Sequence, residues 1–100
     1  MATLTKALAR TAAATSSTTL YTVPASTTAV ISNIVVTNTA ATAATFTITL
    51  DGVAMQSGST IAANSSAYFD LKQVLATTKI IAGLASATTV NFHISGVEIS

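Results

Sequence analysis

Hydrophobic and polar positions alternate along most of this chain. The clearest case is Ala44-Thr45-Phe46-Thr47-Ile48-Thr49-Leu50, where Phe46, Ile48 and Leu50 interleave with three threonines. A period of two is the side-chain period of a strand with one buried face. Threonine suits the outer positions because its branched Cβ favours extended backbone. Asp51-Gly52 then reads as a turn. The C-terminal segment repeats the pattern. Val90, Phe92 and Ile94 face one way and Asn91, His93 and Ser95 the other, with Gly96 marking a bulge or bend before Val97-Glu98-Ile99.

Two more strands follow from the same reading. Residues 28–38 are rich in Val and Ile with a less regular alternation, which predicts a strand covered on both sides. Residues 66–71 set Ala67, Phe69 and Leu71 against Tyr68 and Asp70. Shorter strands are expected at residues 20–23, 53–56 and 79–82. Turns are expected at Pro24-Ala25-Ser26, at residues 38–43, at Ser57-Gly58-Ser59 and at residues 62–65, and residues 72–78 read as a brief helical turn. About seven short strands at roughly 8–12-residue spacing predict an all-β protein, a single antiparallel β-sandwich or jelly-roll-like domain over residues 19–100. Residues 1–18 stand apart. Leu4, Ala7 and Leu8 have helical spacing while Thr3-Leu4-Thr5 alternates, and the segment reads as an extended N-terminal arm that is ordered only if something holds it.

Composition narrows the function classes. Twenty Thr, 20 Ala and 11 Ser fill half of the 100 residues, only 7% are charged, and the formal net charge is +1. An electrostatic nucleic-acid binder needs a clustered basic surface, which this chain lacks. Disorder usually shows high charge and low hydrophobicity, whereas mean hydropathy here is +0.65. With no cysteine, a disulfide framework and a thiolate metal site are excluded. Residues 11–50 carry no charge at all, yet Thr, Ser and Asn interrupt them every few positions, so no helical membrane span is expected. Arg10 cuts the short apolar run Ala7-Leu8-Ala9, which makes a poor signal peptide, and the acid-free start fits a transit peptide only loosely. Sandwich edges are usually guarded by charge, above all Lys, or by Pro. Three Lys and one Pro leave the expected edges thinly guarded, which points to self-association or docking.

Candidate chemistry is sparse. His93 is the sole histidine, and a general base needs a positioned partner and a nucleophile. An enzyme would require His93, Asp70 and a serine to converge, and we expect no catalytic residue. The three acids Asp51, Asp70 and Glu98 are scattered, whereas calcium prefers six to eight oxygens with several carboxylates nearby, so neither a metal nor another cofactor is expected. Asn64-Ser65-Ser66 matches a glycosylation pattern that is common by chance. Phe46, Phe69 and Phe92 fall on the apolar phase and are assigned to the core. Tyr68 falls on the opposite phase, and Tyr21 and Tyr68 are candidate interface anchors. Lys6 and Arg10, four apart, would share a face if the arm were helical. With Leu4 and Leu8 they complete the candidate partner interface.

From residue 19 the chain reads Thr19-Leu20-Tyr21-Thr22-Val23-Pro24-Ala25, then Val30-Ile31-Ser32-Asn33-Ile34-Val35-Val36-Thr37-Asn38-Thr39, and it closes on Ser95-Gly96-Val97-Glu98. In this it resembles the small β-sandwich virion proteins of tailed bacteriophages and prophages. These share a Tyr-Thr-(Val/Ala)-Pro-Ala strand entry, a central Asn-Thr hairpin, a polar strand reaching a hydrophobic-Asp-Leu element and a closing Ser-Gly-Val-Glu strand. The resemblance covers residues 19–100 and rests on strand and turn pattern. It implies a non-enzymatic virion protein, a capsid decoration or cement protein that docks in many copies. Its partners would be copies of itself (a homo-oligomer, such as a trimer) and the major capsid protein or neck and tail proteins, with no nucleic acid and no membrane. The alternative is a neck, tail or fibre accessory that binds a host surface or glycan, marked by an exposed aromatic patch around Tyr68 or Tyr21.

Overall fold

The computed structural model describes residues 3–100 as eight strands: β1 (Thr3–Ala12), β2 (Thr18–Thr22), β3 (Thr28–Asn38), β4 (Ala44–Leu50), β5 (Val53–Ile61), β6 (Ser65–Leu75), β7 (Ile80–Ala85) and β8 (Val90–Ile99). They form two antiparallel four-stranded sheets, β1-β8-β3-β6 and β2-β7-β4-β5. The first strand pairs with the last, the second with the seventh, the third with the sixth and the fourth with the fifth. This is a long hairpin folded over on itself, the wrapping of an eight-stranded jelly roll.

The alternation read from the sequence sets the core. Phe46, Ile48 and Leu50 of β4 point inward at Val90, Phe92 and Ile94 of β8, and all six are buried. Phe46 bridges the two sheets. Its ring meets Phe69 edge-on at 6.1 Å and Phe92 at 6.5 Å, the T-shaped geometry that aromatic quadrupoles favour. Asp51-Gly52 makes the β4–β5 turn with φ of 53° and 75°, a conformation Gly52 adopts without a Cβ penalty.

The less regular alternation of β3 has a different cause from the expected cover on both sides. Register shifts by one residue at Ser32 against β8, so inward positions run Ala29, Ile31, then Ile34, Val36 and Asn38. A matching shift occurs in β1 at Leu8, and β6 shifts once more against β3. The irregularities line up across the whole sheet beside Gly96, where an added Cβ would strike the Val30 carbonyl oxygen. Gly96, read from the sequence as a bulge or bend, stays regular itself and is the fixed point of a transverse row of bulges in its neighbours.

Several expectations are corrected. Residues 3–12 are not a separate arm. They form edge strand β1, paired along β8 from Thr3–Ile99 to Ala12–Asn91, and Ala13 N–H continues the ladder to the Val90 carbonyl at 2.7 Å. Residues 72–75 extend β6 instead of turning helically. Ser57-Gly58-Ser59 lies inside β5, where two register shifts against β4 and a Gly58 φ of 57° bulge the edge. The edges of the first sheet also carry charge, with Lys6 and Arg10 on β1 and Lys72 on β6.

Asn38 is the one fully buried large polar side chain among the described residues. Its amide donates to the carbonyl oxygens of Thr42 at 2.8 Å, Ala62 at 3.3 Å and Ile61 at 3.4 Å. Its Oδ1 accepts from Ala40 N–H at 3.1 Å and Thr89 Oγ1 at 3.3 Å. The sequence reads it only as the junction between a strand and a turn.

Candidate functional site

The candidate interface residues are distributed over three environments. Lys6 and Arg10 would share a face in a helix, and also in a regular strand. The bulge at Leu8 reverses the phase between them, so Lys6 pairs with inward Gly96 and Arg10 with outward His93. Leu8 packs half-buried against the core, and Leu4 is 55% exposed at the open end of the sandwich.

Lys6 and Tyr21 converge on Glu98. The Lys6 ammonium lies 3.3 Å from Glu98 Oε1, and the Tyr21 hydroxyl donates to Oε2. Tyr21 is buried at 8% exposure, so it is not the exposed anchor expected from the sequence. Glu98 has the inward phase of β8 and Tyr21 belongs to the opposite sheet, so the carboxylate ties both sheets and edge strand β1 together. The Tyr21 hydrogen bond first, and Lys6 after it, hold Glu98 below the usual glutamate range against the opposing effect of burial. Burial, helped by the adjacent carboxylate, pushes the Tyr21 phenol above its ordinary value. This is a structural clasp with an acceptor-only centre.

Arg10 and Tyr68 instead stand at opposite ends of one row on the outer face of the first sheet. Register places Arg10 opposite His93, His93 opposite Val35 and Val35 opposite Tyr68. These four side chains form one row across all four strands, spanning about 14 Å at ~4.8 Å per strand. Asn91, Thr37 and Ser66 form the row on one side, and Ser95, Asn33 and Asp70 the row on the other. Between them lies a shallow open depression of about 430 Å³ with Arg10, Tyr68 and His93 on its wall. Tyr68 is 72% exposed. Asn33 and Asn91 were not singled out from the sequence. The outward phase of Asn91 was legible, but that of Asn33 was not, because the bulge at Ser32 sets it.

The face does not bring His93 and Asp70 together. His93 and Asp70 lie two strands apart, about 10 Å laterally at ~4.8 Å per strand, and in different rows. Among the described residues no three His, Asp or Glu side chains gather into a metal-binding cluster.

The other sheet is chemically opposite. β2, β4, β5 and β7 contain no charged residue. The outward positions of this sheet include Thr19, Ala82, Thr49 and Ala54 in one row, with Thr45 opposite Thr60 in another. Every charged side chain of the chain lies on the first sheet, except Asp51 and Lys79, which sit in loops and face each other at 3.7 Å.

No family model matches the chain, and no curated protein matches it.

Proposed function

We propose that this protein is a non-enzymatic structural protein of a tailed-bacteriophage virion, a capsid decoration or cement protein that docks in many copies. The observation that carries the reading is the division of charge between the two faces. An uncharged Thr/Ala sheet face can be covered without stranding a buried ion, whose desolvation would oppose docking. The sequence resemblance to small virion β-sandwich proteins supports the same role.

The size of the face fits repeated docking better than one tight pair. Four strands of about seven residues give roughly 450 Å² at ~4.8 Å between strands and ~3.4 Å per residue. A standard interface takes about 800 Å² from each partner. One copy on this face alone is held weakly, and contacts to neighbouring copies and to the shell add through effective concentration. The partners are therefore further copies of this chain and the major capsid protein, and the location is the particle surface.

Copy number per purified particle, measured by quantitative mass spectrometry against the major capsid protein, tests this. Hundreds of copies are expected. Between six and a few dozen would move the protein to the neck, tail or fibres, and absence from the particle would refute the virion reading.

A further inference from the structure

We propose that the depression on the outer face of the first sheet binds an acidic saccharide, a polymer or glycan carrying uronic- or sialic-type carboxylates. This site is separate from the docking face and stands whether or not that docking occurs.

The argument starts from what the row Arg10–His93–Val35–Tyr68 offers. Arg10 forms no ion pair among the described residues, whereas Lys6 and Lys79 both do. Its planar guanidinium presents paired N–H donors that match a carboxylate bidentately. His93 stands beside it on the next strand and adds its imidazole nitrogens to the same end of the trough. At the other end the exposed Tyr68 ring offers an apolar surface with a polar tip, suited to the C–H face of a sugar ring and to one of its hydroxyls. Val35 lies between them as an apolar floor.

The flanking rows complete a polyol surface. On this face Thr37 and Ser66 bond each other at 3.2 Å, and Ser32 Oγ donates to the Ser95 carbonyl at 3.2 Å. The amides of Asn33 and Asn91 make no such internal bond among the described residues, so donors and acceptors of both kinds remain for hydroxyl groups. A few fixed polar groups around an apolar patch are the general make-up of a small-molecule site.

Charge placement sets the ligand class and its direction. Asp70 occupies the β6 end of the adjacent row, on the opposite edge strand from Arg10. Lys72 lies two residues further along that strand and offsets Asp70, so a carboxylate is drawn to the uncompensated Arg10 at the β1–β8 end. A nucleic-acid strand would need a run of cations along its phosphates, and here Arg10 stands at one edge with Lys72 beside Asp70 at the other. A bare anion would use only the Arg10–His93 end and leave Tyr68 unused.

The test is titration of the ¹⁵N-labelled full chain with oligogalacturonate and with oligosialic acid, followed by amide chemical shifts. Maltohexaose and inorganic phosphate serve as comparisons. At least one acidic oligomer should shift amides of residues 10, 33, 35, 68, 91 and 93, with at least tenfold tighter binding than maltohexaose. Tyr68→Ala and Arg10→Gln should each weaken it at least tenfold. Both side chains point outward, and an unchanged melting temperature verifies that the fold is intact. No shifts with either acidic oligomer, or shifts centred elsewhere, overturn the proposal. Equal binding of maltohexaose removes the acidic ligand class, and equal binding of phosphate reduces the site to an anion contact and overturns the saccharide assignment.

Discussion

At the scale of single residues, two polar side chains do most to define the ends of the sandwich. Asn38 satisfies three carbonyl oxygens, one N–H and one hydroxyl from a fully buried position. Replacing it with Ala strands those groups, each of which costs about 1–3 kcal/mol when left unpaired, softened by local water entry. Asn38→Ala should lower unfolding free energy by about 2–3 kcal/mol in a urea titration. A loss within ~0.5 kcal/mol would show that the loop holds itself.

The Glu98 clasp at the other end is a titrating one. Its folded pKa is depressed, so its contribution is complete above the ordinary glutamate value of 4.5 and is lost as pH falls below that. Tyr21 has the opposite sign. Its folded pKa is raised, so its contribution is complete below the ordinary tyrosine value of 10.0 and is lost as pH rises above it. Stability should therefore decline on both sides of that window. Tyr21→Phe should lower the melting temperature at pH 7, reduce the decline below pH 4.5 and abolish the tyrosine part of the decline above pH 10. Unchanged pH profiles in Tyr21→Phe would show that the hydroxyl and carboxylate do not act together. Neither role was legible in the sequence. Glu98 lies 77 residues from Tyr21, and only the jelly-roll wrapping brings the two strands together.

At the scale of elements, strands were legible wherever period two survived. β4, β8 and the inward set of β6 follow directly from Phe46, Phe92 and Phe69 with their alternating neighbours. The misread phases of β3 and β5 share one cause, which is backbone irregularity. Serine and leucine carry no bulge signature, so Ser32 disguised the phase of β3, while Gly58 between two serines reads as a turn and hid the continuity of β5. β1 was missed because Ala and Thr carry little hydrophobic contrast, and its side chains are mostly exposed. Its order comes from the β8 ladder. Deleting residues 1–17 should lower the melting temperature and uncover the β8 edge, which would pair with other copies and form larger species on size exclusion. A peptide of residues 3–12 should suppress that association. A truncated chain that stays monomeric with unchanged stability would show that β1 contributes nothing to the sheet.

At the scale of the molecule, the two sheets share a core and differ in surface. The extents of 46 × 21 × 17 Å describe an elongated body with one charge-bearing sheet and one uncharged sheet. Charge depletion was visible in the sequence, but its segregation was not. It depends on the alternate strand pairs β2–β7 and β4–β5 being collected into one sheet, which the order of strands along the chain does not announce. The account's central claim is that the uncharged sheet face docks the protein in many copies. The most direct measurement compares occupancy on particles stripped of this protein for the wild type, for Thr19→Lys/Thr45→Lys/Thr60→Lys, and for Ser66→Lys on the other face. All four positions are exposed, so the folded state should survive, as circular dichroism would verify. The account predicts near-complete loss of occupancy for the triple variant and wild-type occupancy for Ser66→Lys. Full occupancy by the folded triple variant would contradict it.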